Sequence, residues 1–190
     1  MRIRWVGIIA ALSVLSCQAS DVQSAGAVSE ASPPEPPVLT AEGWGPLRIG
    51  MTRALVVAAV GEDANPEAVG GPEPEQCDEF HPRDAPLAMR VMIERGHLTR
   101  ITLSRGSDAK TRAGFGIGDA ATAIMAAYGS EAMSTPHKYW PAAAEYITVW
   151  ETPPSDAASA RGIVYEVGED ARVVHVHAGT SSIQYVEGCL

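Results

Sequence analysis

Residues 47–61 read LRIGMTRALVVAAVG, and residues 115–129 read FGIGDAATAIMAAYG. Gly50 aligns with Gly118 and Gly61 with Gly129, both pairs 68 residues apart. Between the glycines of each stretch the pattern predicts a helix. Thr52 and Asp119 each place a side-chain oxygen where it can accept from the free N–H groups of a first turn. Gly61 and Gly129 suit the left-handed residue that ends a helix. Val56, Ala59 and Val60 match Ile124, Ala127 and Tyr128 as one apolar stripe at helical spacing.

Strand-like runs follow each predicted helix. Residues 88–94 and 100–104 flank Arg95-Gly96-His97, and residues 162–167 and 172–177 flank Gly168-Glu169-Asp170, so each set predicts a hairpin. One further strand precedes each hairpin, at 76–80 and at 146–152, and a last one is expected at 183–186 within a C-terminal strand region 183–189. Trp150, in step with Tyr146 and Thr148, is expected to pack against the helices. The expected fold class is α+β: two tandem helix-plus-antiparallel-meander units, about 44–106 and 113–179, forming one domain with the helices on one face of the sheet.

The first seventeen residues, MRIRWVGIIAALSVLSC, carry Arg2 and Arg4, then an apolar run from Trp5 to Leu15. Eleven helical residues rise only ~16 Å, short of a ~30 Å hydrocarbon core. The run reads as an export signal over residues 1–16. Val14-Leu15-Ser16-Cys17 resembles the lipobox of bacterial lipoproteins, which implies that Cys17 becomes a lipidated N-terminus and that acyl chains replace a membrane span. Gln18, where inner-membrane retention would use Asp, implies transfer to the outer membrane, facing the periplasm. Residues 17–42, rich in Ala, Ser, Pro and Glu, read as a flexible tether ahead of a globular domain 43–190.

The formal net charge is −9, and loss of residues 1–16 removes two of the fourteen basic residues and none of the 23 acidic ones, leaving −11. Nucleic acid is excluded as a partner, because phosphate contacts rest on clustered Lys and Arg. The same sign disfavours attraction to anionic lipid surfaces, so the membrane is met through the lipid on Cys17. With Cys17 assigned, Cys77 and Cys189 remain, and in an oxidising compartment they pair as a disulfide.

GPLRIGMTRALVVAAVG (45–61) resembles the start of the repeat unit in SmpA/OmlA-type outer-membrane lipoproteins and in the β-lactamase-inhibitor-protein-like fold. GIGDAATAIMAAYG (116–129), PHKY (136–139), YITV (146–149) and YVEGC (185–189) are also similar to a group of uncharacterised bacterial exported proteins. The resemblance implies helices against an antiparallel sheet and a role in binding proteins, without catalysis.

Catalytic signatures are scarce. No GxSxG occurs, and the acids of 62–84 lie in a Pro- and Gly-rich loop rather than on rigid elements. GFGIG (114–118) imitates a phosphate loop, but the P-loop lysine is missing and Asp119 would repel phosphate. The expected function is therefore that of a non-enzymatic, lipid-anchored envelope protein, with no cofactor, that binds a protein partner or supports an envelope assembly. Lys138, Tyr139 and Trp140, in a loop before Pro141, are the partner-binding candidates. The alternative is a metal-binding or hydrolytic periplasmic protein. His175 and His177 flank Val176 on one strand and project from the same face, and His97, Glu166 or Asp170 are possible third ligands. Two histidines on a polar strand face need no metal, so no metal is assigned from the sequence.

Overall fold

The computed structural model describes residues 36–67, 70–86, 88–155 and 159–190. The expected signal segment, Cys17 and the tether up to residue 35 lie outside these residues. The chain enters at a small ribbon, β1 (Gly43–Trp44) and β2 (Leu47–Arg48), followed by α1 (Arg53–Val60). Three strands follow: β3 (Cys77–Phe80), β4 (Met89–Glu94) and β5 (His97–Leu103). After α2 (Ala121–Tyr128) come β6 (Ala132–Pro136), β7 (Glu145–Thr152), β8 (Arg161–Val167) and β9 (Val173–Gly179). The seven long strands make one antiparallel sheet in the order β3-β4-β5-β9-β8-β7-β6. Its centre is the β5–β9 pair, where Thr102 faces His177 and Leu103 faces Val176.

The α+β expectation of tandem helix units is overturned. Among the described residues there are two α-helices of eight residues each, against nine strands, and seven of the strands form a single continuous sheet. The fold is mostly β. Cap and glycine signals are local, so they located the helices without setting their share of the structure. α1 begins as expected, with the Thr52 hydroxyl accepting from Leu55 N. α2 begins later than expected. Its first flanking residue is Ala120, with no side-chain cap, because Asp119 turns back to accept from Gly116 N and from Lys110 Nζ, both at 2.7 Å. The Asp119 carboxylate thus occupies the anion slot that GFGIG seemed to offer. Gly61 and Gly129 end the helices with φ of +82° and +55°.

Three other expectations shift. Residues 183–186 are not a strand; a 3-10 turn, Ser181–Gln184, takes their place. The Thr180 hydroxyl caps it by accepting from Ser182 N, the Ser182 hydroxyl donates to Thr99 O, and Ile183 is buried. The folded region also begins before residue 43, since Leu39 and Ala41 are fully buried and the backbone N–H of Leu39 donates to Lys110 O. Conversely β6 had no strand signal, because AMSTP owes its pairing to β7 alone. As an edge strand it accommodates Pro136 at its end.

Alternation sorts each strand into two faces. Val91, Ile93, Ile101, Leu103, Val176, Ile163, Tyr165, Ile147 and Val149 share a core with Val56 and Val60 of α1 and Ile124 of α2. Tyr165 is the largest side chain there, and its hydroxyl is satisfied by Thr111 Oγ1 at 3.0 Å and Tyr128 Oη at 3.1 Å. Trp150 is absent from that core and sits beside Gly162, on the strand face that carries Tyr146 and Thr148. That second face bears Glu79, Arg100, Thr102, Thr148, Glu166, His175 and His177. Most of these side chains are buried as well, because residues 180–190 cross back over them.

Two ties hold that crossing segment. Arg100, 2% exposed, donates to Ser182 O and Tyr185 O and pairs with Glu79. Cys77 and Cys189 form the expected disulfide, closing a sequence separation of 112. In the chain-entropy model a loop of that length stabilises by about 4–5 kcal/mol. Cys189→Ser should therefore lower the midpoint of urea unfolding, with a loss approaching that figure. A loss below about 1 kcal/mol would mean that Arg100 and Ile183 hold the segment unaided.

Candidate functional site

The second face is centred on one carboxylate. Glu166, on β8, is 15% exposed by its side chain, and three imidazoles converge on it. His175 Nδ1 lies 3.1 Å from Oε2, His177 Nε2 3.4 Å from the same oxygen, and His137 Nε2 3.2 Å from Oε1. Strand geometry explains the first two. His175 and His177 are two apart on β9 and point to one side, and the β8–β9 register sets Glu166 directly opposite His175.

His137 arrives by another route. It follows β6 and is 8% exposed, stacked between Trp140 at 4.3 Å and Tyr146 at 4.6 Å, with interplanar angles of 6° and 19°. Its Nδ1 accepts from the backbone N–H groups of Tyr139 and Trp140, both at 3.1 Å. A ring nitrogen that accepts carries no proton, so the neutral ring keeps its hydrogen on Nε2 and donates it to Glu166 Oε1. His137 thus fixes both the following turn and one oxygen of the carboxylate.

His177 has a second partner, Thr102 Oγ1, 3.0 Å from Nδ1. A threonine hydroxyl both donates and accepts, so this contact serves either imidazole tautomer. Burial pushes the His177 pKa down to about 4, against the opposing pull of Glu166, which leaves the ring neutral at neutral pH. For Glu166, burial alone would raise the pKa. Hydrogen bonds from His175 and His177, the charge interaction with His175 and the bond from His137 outweigh it and hold the carboxyl well below the usual carboxylate range. Glu166 is an anion.

Glu166, His175 and His177 offer ligand atoms that all lie within 4.8 Å of one another. Around a tetrahedral ion bound at ~2.0–2.1 Å, neighbouring ligand atoms are about 3.3 Å apart. The two His–Glu separations already match that spacing. Closing the His175–His177 separation completes the set. Of the three candidate third ligands, Glu166 is therefore at the site, whereas His97 and Asp170 are not. His97 is exposed at the β4–β5 turn with Nδ1 on Arg95 O, and Asp170 accepts from Arg172 N in the β8–β9 turn.

The partner-binding candidates form the rim of the same region. Tyr139 is 57% and Trp140 39% exposed, and Lys138 pairs with Glu187 at 3.2 Å while lying over the Tyr139 ring. The sequence grouped His137 with these aromatics as HKYW, but nothing in local spacing ties it to Glu166, 29 residues away. A cavity of about 200 Å³ adjoins the cluster, lined by Glu166, His177, Thr135, Tyr146, Thr148 and Val164, and closed by residues 183–186.

No protein-family model matches the chain, and no curated protein matches it. Among solved structures it is similar to an extracellular protein containing a SCP domain from Bacillus anthracis str. Ames, at 11% identity and a TM-score of 0.45. The likeness covers 70% of this chain and 44% of that one, so this chain spans less than half of that protein's length. At that level it carries nothing about the site.

The metal-free protein should lose stability in acid with a defined sign. His177 resists protonation in the fold down to about pH 4, whereas an unfolded histidine binds its proton near ~6.5. Across that window the unfolded chain holds the extra proton, so stability falls as pH drops, by at most about 1.4 kcal/mol per unit for one group. Glu166, with its depressed pKa, adds a loss of the same sign below the unfolded carboxylate value of ~4.3. Urea unfolding of chelator-treated protein between pH 7 and 4.5 measures this slope, and His177→Asn should flatten it.

Proposed function

We propose that the protein is an exported, lipid-anchored envelope protein that binds a divalent transition-metal ion through Glu166, His175 and His177. The observation that carries the reading is the convergence of His175 Nδ1 and His177 Nε2 on one oxygen of Glu166, at 3.1 and 3.4 Å. Two supporting groups have the outer positions that metal sites use. His137 holds the other carboxylate oxygen and Thr102 the far nitrogen of His177. Mixed nitrogen and oxygen donors favour zinc or copper(II) over magnesium and calcium, which take oxygen ligands. Both described cysteines are engaged in the disulfide, so thiolate is not a ligand. A bound ion would take His177 through Nε2 with the ring's one proton shifted to Nδ1, where Thr102 turns from donor to acceptor, and would take His175 through Nδ1 with its proton on Nε2.

The role is binding rather than catalysis. The side chains within hydrogen-bond reach of the three imidazoles are Glu166 and Thr102, so no serine or cysteine nucleophile is poised beside them among the described residues. The envelope setting draws support from the signal-like N-terminus, from the likeness of the helix starts to SmpA/OmlA-type lipoproteins, and from the disulfide, which suits an oxidising compartment. Among the described residues no helix is long and apolar enough to cross a membrane, and an acyl anchor on Cys17 needs none. The outer membrane, on its periplasmic side, is the proposed location.

A second reading keeps the protein partner. Tyr139 and Trp140 are exposed aromatics on a turn fixed by His137, with Met133 and Tyr185 also exposed, a texture that protein interfaces share. On this reading Lys138, Tyr139 and Trp140 contact the partner.

Isothermal titration of the chelator-treated protein with Zn²⁺ should give one site per chain. Glu166→Gln should weaken binding at least 100-fold, and His137→Ala should weaken it by roughly 10–100-fold through loss of a supporting contact. Unchanged affinity in Glu166→Gln would overturn the assignment. For the anchor, Cys17→Ser should abolish incorporation of labelled palmitate and move the protein from the membrane to the soluble fraction.

A further inference from the structure

The cavity beside the cluster is built in a particular way. Its volume of about 200 Å³ corresponds to six or seven water volumes at ~30 Å³ each. Two of the three proposed ligands, Glu166 and His177, form part of its wall, whereas His175 does not. An ion held by the three side chains would therefore lie at the cavity's edge, with His175 on the far side and its remaining coordination facing inward. A catalytic or ligand-accepting zinc keeps such a fourth position open.

The remaining wall divides by chemistry. Thr135 and Thr148 bring hydroxyls, whereas Tyr146 brings its ring, its phenol oxygen being buried toward the Lys138 backbone. Val164, Ile183 and Val186 bring apolar surface, Ile183 and Val164 each being 2% exposed. Neither lysine nor arginine lines the space. Without a metal, Glu166 is the only charged group there and would repel an anion. With a dication against one carboxylate and neutral imidazoles, the local charge is +1, and within the cavity lining the ion is the sole positive group.

We infer that the cavity is a ligand site for a small carboxylate, whose headgroup completes the metal's coordination while its short aliphatic tail rests on Val164, Ile183 and Val186. The inference rests on the metal reading given above. The Thr135 and Thr148 hydroxyls supply hydrogen bonds for the carboxylate oxygen that the metal does not take. A cation of the same size is repelled by the ion, and an uncharged alcohol lacks the charge attraction that a carboxylate gains. Binding is therefore metal-dependent and anion-selective, and a space of about 200 Å³ suits a short-chain carboxylate.

The test uses purified full-length protein loaded with Co²⁺, whose visible absorption reports the number and type of ligands. Titration with butyrate should change the spectrum saturably, and butyltrimethylammonium, a cation with no lone pair for the metal, should not change it. By calorimetry, butyrate should bind the loaded protein and give no heat with the metal-free protein. Thr148→Leu, which fills the cavity without touching a proposed ligand, should keep one Co²⁺ per chain and bind butyrate at least tenfold more weakly. Val186→Phe should do the same from the facing segment, residues 183–186. Failure of the wild type to bind Co²⁺ or Zn²⁺ would overturn the metal reading itself. Normal metal loading with a spectrum indifferent to butyrate would overturn the ligand site alone. Undiminished butyrate binding in both cavity-filling variants would place the carboxylate elsewhere and overturn the inference.

Discussion

A guanidinium with almost no access to water sets the terms for this fold. Arg100 lies at the centre of the sheet, where burial lowers its pKa and Glu79 opposes that shift. An unpaired charge in such a place is untenable, and removing one partner of a buried pair costs about 3–5 kcal/mol. The chain meets the demand with Glu79 from β3 and with the carbonyls of Ser182 and Tyr185. Those carbonyls belong to the C-terminal crossing, so satisfying Arg100 and closing the second face of the sheet are the same event. The disulfide then fixes the far end of that crossing to β3.

Closure of that face changes what its polar residues are. On an open sheet, His175, His177, Glu166, Thr148 and Thr102 would be solvated surface, which is how alternation alone presents them. Beneath residues 180–190, His177 is 8% and Thr102 1% exposed, and each polar atom needs a protein partner. Glu166 meets the need by taking three imidazoles at once, and His177 by sharing itself between Glu166 and Thr102. Satisfied networks of this kind rigidify their members. The geometry proposed to hold a metal is therefore largely set by the same forces that stabilise the fold.

His137 extends this organisation outward. One nitrogen orders the turn that presents Tyr139 and Trp140, and the other orients the Glu166 carboxylate. A change at the centre of the site has a direct covalent and hydrogen-bonded route to the most exposed aromatic surface of that region. The cavity and the aromatic rim are thus two sides of one histidine.

The amino-acid sequence by itself determined the local features. Thr52 capping α1, the glycines ending both helices, the hairpin at Arg95-Gly96, the positions of β4, β5, β7, β8 and β9 and the Cys77–Cys189 pairing were all legible, because each depends on neighbours in the chain or on a single remaining partner. His175 and His177 sharing a face was legible too, from strand period alone. The fold class was not. The helix signals said where helices start and stop, but whether two eight-residue helices or seven paired strands dominate depends on pairings such as β5 with β9, which join Arg100 to Gly179 and Leu103 to Val176 far along the chain, and β6 with β7, where β6 carries no strand signal of its own. Only the tertiary structure decided that the second face is interior, that Asp119 turns away from its helix, that residues 181–184 coil rather than extend, and that His137 joins Glu166. Each of these is a contest between local preference and the partner that a buried polar group must find, and the partner came from elsewhere in the chain.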